Sequence, residues 1–187
     1  MGVADGGDGM SDGVSELERM SPAEPRRHIH VAAAIILRGE PEGAGIASGG
    51  PRVGVGGEAG ASCDATRCPL ACEVLATQRG YGEFKDWWEF PGGKVKPGEA
   101  SQEACVRELR EELAVELTDL APFISIDYDY PDFHLTMDCF TCRLAPGEHV
   151  SLLEHEDMRW LGREHLDEVR WLPADIEIID ALRQVLA

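Results

Sequence analysis

Positive charge is scarce in this chain: 17 Lys and Arg stand against 35 Asp and Glu in 187 residues, a net charge of −18. Proteins that grip nucleic-acid polymers neutralise phosphates with clustered Lys and Arg, so the balance argues against that class of partner. A small triphosphate stays compatible, because a bound divalent cation reverses the local sign of a carboxylate-lined site. Long apolar runs are also missing. No window reaches the ~20 residues of a membrane span, and residues 1–13 have neither the basic region nor the apolar core of a secretory leader. A cytoplasmic protein without membrane association is expected. Cysteine is sparse as well, at six residues. Cys63, Cys68 and Cys72 crowd one segment, yet three thiols without a nearby histidine make an incomplete zinc site, and free thiols are the expectation. Nothing in the pattern specifies an oligomeric state.

Hydrophobic content of 43% at this length supports one good core and a single domain. Residues 1–27 are rich in Gly, Asp, Ser and Glu without apolar periodicity, which predicts a disordered N-terminal tail. The nearly continuous apolar run from Ile29 to Leu37 predicts a buried strand. From about 40 to 71 the composition shifts to Gly, Ala, Ser and Pro, a flexible low-complexity insertion. A second strand, Glu73 to Arg79, can still pair with the first, since loop-closure entropy grows slowly with length. A loop over Pro91 to Ala100 then leads into a helix from Ser101 to Leu113, with Ser101 as its N-cap and Cys105, Leu109 and Leu113 on its core side. Two alternating runs, Phe123 to Tyr130 and Phe133 to Cys142, read as a hairpin turning at Pro131-Asp132. A short strand near Met158 to Leu161, a helical stretch from Arg163 to Val169 and a terminal helix from Ile176 to Leu186 complete the domain over 28–187. Mixed strands with two core helices predict an α/β sandwich.

The chemistry concentrates in one stretch. Glu108, Glu111 and Glu112 stand three and four positions apart on the predicted helix, so they share one face, and their like charges destabilise it unless a cation sits among them. Oxygen ligands suit small hard ions, which makes Mg²⁺ the natural candidate and Mn²⁺ the alternative, held by a few carboxylates and the oxygens of a substrate phosphate.

The full pattern runs Gly93-x5-Glu99-x7-Arg107-Glu108-Leu109-x-Glu111-Glu112-x-Ala114-Val115. It resembles the signature box of the Nudix hydrolase family, and fixed residue types at fixed offsets over more than twenty positions make it specific. One departure is visible: Ala114 stands where the family usually has a helix-ending glycine. The run Trp88 to Lys94, the hairpin Tyr128 to Asp132, Glu154-His155 leading to Trp160, and Pro173-Ala174-Asp175 extend the likeness to the MutT branch. Members of that branch hydrolyse nucleoside triphosphates to a monophosphate and pyrophosphate. The resemblance implies an α/β/α sandwich with a mixed sheet. It further implies that Glu108, Glu111, Glu112 and Glu154 ligate the metal with a backbone carbonyl at the Gly92-Gly93 turn. Glu108 is the expected general base and Glu154 a further ligand or base, while Arg107 in the catalytic group pairs with Glu99 and braces the loop. Gly93 and Glu99 give structural support. Arg79, Phe90, Lys94 and Asp175 are candidates for substrate contact. His155 reads as a structural histidine, and most of Tyr81, Trp87, Trp88 and Phe90 are expected to pack, with one or two bordering a base pocket.

Asp175 has two readings, an N-cap of the terminal helix and a contact to the nucleobase. The oxidised-guanine reader of the resembling branch has asparagine at this place, and related members with aspartate process cytidine nucleotides. An ionised aspartate only accepts hydrogen bonds, so it favours bases that present amino or imino protons: N4 of cytosine, N1 and N2 of guanine, N7 of 8-oxoguanine. The expectation is a nucleotide-pool-sanitising triphosphate pyrophosphohydrolase of 8-oxo-dGTP type. The alternatives are hydrolysis of dCTP or a modified dCTP, and a non-catalytic nucleotide sensor, which would be expected to have lost the box carboxylates that this chain keeps.

Overall fold

The computed structural model describes residues 26–39 and 72–186. The tail before Arg26 and the Gly-rich insertion over 40–71, with Cys63 and Cys68, lie outside the described residues. In chain order the elements are β1 (Arg27–Arg38), β2 (Glu73–Arg79), β3 (Trp88–Glu89), β4 (Gly92–Lys94), α1 (Ser101–Leu113), β5 (Leu117–Asp129), β6 (Phe133–Leu144), β7 (His155–Leu161) and α2 (Asp175–Val185). They form a mixed sheet in the order β3-β2-β1-β6-β5, with β4 paired to β1 and β7 to β2. The β1–β6 pair is parallel and the others are antiparallel.

The apolar run in β1 is continuous because both faces of this central strand are covered. Ala33 and Ile35 join a cluster with Ile178, Ile179 and Leu182 of α2. Ala32, Ala34 and Ile36 join another with Cys105, Leu109 and Leu113 of α1. Alternating side chains of one strand therefore hold the two helices on opposite faces, the expected α/β/α sandwich. Cys105, Cys139 and Cys142 are buried free thiols within these layers. At the far end of β1, Leu37 faces Val74 and Arg38 faces Glu73, with Arg38 Nε donating to Glu73 Oε2 at 2.9 Å. The chain thus returns to the sheet beside the point where it left.

Several local expectations are corrected. Ala100, not Ser101, is the N-cap of α1; its backbone N–H bonds Glu103 Oε2 at 3.3 Å. The Ser101 hydroxyl is drawn away to Asp138 Oδ2 at 2.6 Å, a stronger charged acceptor. Asp175 likewise is the first residue of α2 rather than its cap, a position taken by Ala174. β5 starts at Leu117, six residues before the alternating run, because register shifts around Asp119 and Pro122 hide its period from the pattern. β7 begins at His155, ahead of Met158, and the stretch after it is only a 3₁₀ turn over Arg163–His165.

The exit of α1 keeps the left-handed geometry that a glycine would favour: Ala114 has φ 55° and ψ 40°. An L side chain in that region is strained by roughly 1–2 kcal/mol, part of which glycine gives back as unfolded-state entropy. Ala114→Gly should therefore raise stability by about 1 kcal/mol and the melting temperature by ~3 °C. A calorimetric melt showing no gain would refute the strain.

Candidate active site

The acidic face of α1 is organised by one guanidinium. Arg107 Nε and Nη2 donate to Glu99 Oε1 and Oε2 at 2.7 and 2.9 Å, Nη2 also to the Lys94 carbonyl at 3.1 Å, and Nη1 to Glu108 Oε1 at 2.7 Å and Glu111 Oε2 at 3.2 Å. The expected Arg107–Glu99 brace is present as a bidentate pair. It holds the Glu99 carboxyl down at about 2, helped by the Lys96 backbone N–H. The tie to Glu111 follows the i,i+4 spacing of the helix, whereas the tie to the adjacent Glu108 is not legible in the spacing.

Glycine is required where the turn meets this helix. A side-chain carbon on Gly92 would fall 2.2 Å from the Ala32 carbonyl oxygen. On Gly93 it would fall 2.3 Å from Glu108 Cδ, so the Glu108 carboxylate lies directly over the bare backbone. Glu154 arrives from the loop before β7, which docks on the C-terminal end of α1: Ser151 N–H bonds the Leu113 carbonyl and Leu153 N–H the Glu112 carbonyl, both at 2.9 Å. These bonds cap the helix and bring Glu154 into the field of Glu112.

The four glutamates share a neighbourhood without converging. Among the described residues no three His, Cys, Asp or Glu side chains are gathered closely enough to hold a metal ion. Arg107 draws Glu108 and Glu111 to itself, doing for their charge what a cation would do, and Glu112 is turned inward. The donor set nonetheless fits a hard divalent ion. All candidate donors are oxygens, and Glu112 Oε2 is buried without a hydrogen-bond partner. Desolvation pushes the Glu112 carboxyl up to about 7, with His155 the strongest opposing charge.

On the other side of Gly93 lies an apolar cavity of about 280 Å³. Phe84, Phe90, Tyr130 and Phe133 supply aromatic walls, Gly92 and Gly93 line it as well, and Arg79, Glu89, Lys94 and Asp175 are its charged members. Arg79 Nη1 donates to Glu89 Oε2 at 2.6 Å. Asp175 is 3% exposed, and burial, with the Glu89 charge adding to it, holds its carboxyl well above the usual aspartate range. The substrate-contact candidates Arg79, Phe90, Lys94 and Asp175 therefore line one cavity. Of the other aromatics considered, Trp88 is buried in the core, Trp87 is stacked under Arg170 at 3.6 Å, and Tyr81 is 62% exposed. Glu89 and Tyr130 were missed as site residues. A lone carboxylate between Trp88 and Phe90 was the available signal for Glu89, since it must face away from two buried rings.

The folded form of Glu112 binds its proton more tightly than the unfolded form. The stability this confers is complete below about pH 4.5 and is lost as pH rises through about 7. Without added metal, Glu112→Gln should therefore stabilise the protein at pH 8 by about 2 kcal/mol, after discounting for partial solvent access, and by little at pH 4.5. Mg²⁺ at pH 8 should raise the melting temperature of the wild type more than that of the variant. Equal pH slopes for the two proteins would show that Glu112 is not desolvated.

Comparison with known proteins accounts for this arrangement. The NUDIX domain model matches residues 66–182. The Escherichia coli K12 8-oxo-dGTP diphosphatase is 31% identical over 114 residues, 60% of this chain and 88% of that one. The CTP pyrophosphohydrolase of the same strain is 29% identical over 127 residues, 61% of this chain and 84% of its own length. Among solved structures, the solution structure of the E. coli ORF135 protein superposes with a TM-score of 0.58 at 26% identity, over 88% of this chain and 94% of that one. The family match takes in the acidic helix, its glycine turn and every strand that walls the cavity except β1, and the chain belongs to the NUDIX domain family as a hydrolase of phosphoanhydride bonds.

Proposed function

We propose that the chain is a divalent-cation-dependent nucleoside triphosphate pyrophosphohydrolase of the 8-oxo-dGTP type, releasing a monophosphate and pyrophosphate and so sanitising the nucleotide pool. The carrying observation is the buried Asp175 carboxyl in an apolar cavity lined by Gly93, the glycine that Glu108 covers from the acidic helix. A base seated among the aromatic walls directs its phosphates toward the acidic helix.

The charge state of Asp175 changes the expected base preference. Ionised, it would only accept; burial favours its neutral form, which donates with one oxygen and accepts with the other. Such a pair matches an edge that presents an acceptor beside a donor. 8-Oxoguanine offers O6 beside a protonated N7, whereas guanine offers two acceptors there. The argument that aspartate weakens an oxidised-guanine assignment is thereby removed. Cytosine, with N3 beside its N4 amino group, presents the same complement, and the likeness to a CTP pyrophosphohydrolase keeps a (d)CTP substrate as the second reading.

For hydrolysis, Glu108, Glu111, Glu112, Glu154 and the Gly92 carbonyl would hold Mg²⁺ or Mn²⁺. When bound, the ion neutralises phosphate charge and lowers the pKa of the attacking water. Glu108 lies closest to the cavity, across Gly93, and serves as general base for that water. Arg107 stays locked to Glu99 and acts by holding the turn and helix together. Lys94, exposed beside the cavity, is placed to meet a phosphate.

Pyrophosphate release across a panel of canonical and oxidised triphosphates tests the substrate; turnover of only a nucleotide sugar or dinucleotide would overturn the class. Glu108→Gln should lower kcat by about a thousandfold with the melting temperature preserved. Asp175→Ala should lower kcat/KM for the preferred base by about a hundredfold, while Asp175→Asn, which keeps a donor and an acceptor, stays within about tenfold. As pH rises and Asp175 ionises, the wild type should lose kcat/KM that the asparagine variant retains. Identical profiles would remove Asp175 from base reading.

A further inference from the structure

His155 stands where the two halves of the site meet. It opens β7 directly after Glu154 and pairs with Arg79 across the β2–β7 irregularity. Its side chain is only 6% exposed, and Nε2 lies 3.4 Å from Glu89 Oε1, the oxygen that Arg79 Nη1 does not take. Nδ1 has no partner. Buried polar atoms without partners are destabilising unless another state of the protein satisfies them. Among the described residues the buried side-chain atoms in that condition are Arg79 Nε, Glu112 Oε2 and His155 Nδ1, and all three belong to this one cluster. Two of them are chemically complementary, an imidazole nitrogen and a carboxylate oxygen. Of the charged groups around Glu112, His155 acts on it most strongly.

We propose that His155 is a positioning residue spanning the site: Nε2 braces Glu89 at the base cavity, and Nδ1 engages Glu112 Oε2 when Glu112 turns its other oxygen to a divalent cation. The inference rests on the reading of Glu112 as a cation ligand and of the cavity as the base site. Ligating carboxylates are oriented by hydrogen bonds from behind, and losing such a partner weakens metal binding. One side chain then serves cation affinity through one nitrogen and base selectivity through the other. A histidine kept only for packing would do neither.

Two substitutions separate the arms, because asparagine places its amide nitrogen near the Nδ1 position and glutamine near Nε2. His155→Gln should weaken Mg²⁺ binding, measured by calorimetry without nucleotide, by about tenfold and leave the ratio of kcat/KM between preferred and rejected bases within about twofold. His155→Asn should hold Mg²⁺ affinity within about twofold and lower that ratio by about tenfold, through KM more than kcat. Wild-type Mg²⁺ affinity in the glutamine variant, or wild-type selectivity in the asparagine variant, would overturn the proposal. If both variants fail to fold, ¹⁵N-histidine spectra of the wild-type protein decide: saturation with Mg²⁺ should shift the His155 Nδ1 resonance, and an unchanged resonance overturns the bridge. The Mg²⁺ titrations need no turnover, so an enzyme that ignored every triphosphate would refute the proposed substrate while leaving the cation arm independently testable.

Discussion

The site depends on the fivefold engagement of Arg107. A helix that presents Glu108, Glu111 and Glu112 on one face carries a like-charge cost, and no other basic side chain bonds those carboxylates among the described residues. Arg107 answers it with a planar fork that also clamps Glu99 and the Lys94 carbonyl, so helix, turn and β4 become one rigid piece. The same contacts leave the acidic face compensated before any metal arrives. On the proposed function, a divalent ion would compete for Glu108 and Glu111 with a guanidinium already in place.

β1 is the frame on which this piece hangs. Its alternate residues feed the two helix layers, and its backbone pairs with β4 through Val31, Ala32 and Ala33. Ala32 and Ala33 there let Gly92 come within contact of the strand. The cavity and the acidic helix are therefore neighbours because alternate residues of one strand serve them: Val31 and Ala33 line the cavity, and Ala32 packs with the helix. The β1–β4 register thus sets the spacing between the cavity and the acidic helix.

Much of this was legible in the amino-acid order, for physical reasons. Helical spacing alone puts Glu108, Glu111 and Glu112 together, and the two-sided burial of β1 announces itself as an unbroken apolar run. What escaped notice arises where distant segments meet. Ser101 looked like a cap because nothing local reveals that Asp138, on β6, would claim its hydroxyl. Asp175 looked ionised because its charge state is set by the layers that bury it, not by its neighbours in sequence. His155 reads as structural and Glu89 goes unnoticed because each acquires its partner through the β2–β3 and β2–β7 pairings. The departure at Ala114 changed less than its spacing implied: the helix still exits left-handed, at a strain carried by alanine, with its last carbonyls answered by Ser151 and Leu153.

The antiparallel closure of Arg38 on Glu73 also bears on how such a chain can change. The sheet is sealed by Leu37 facing Val74 and by an ion pair whose guanidinium rests 4.3 Å over the Trp160 ring. Whatever length of polypeptide departs there must return to the same doorstep, and doubling it costs only ~0.6 kcal/mol of closure entropy. Leu37, Arg38, Glu73, Val74 and Trp160 neither line the cavity nor bond the acidic face of α1. This corner is therefore a place where a lineage can lengthen, shorten or graft sequence by small steps while the chemistry a few strands away is left undisturbed.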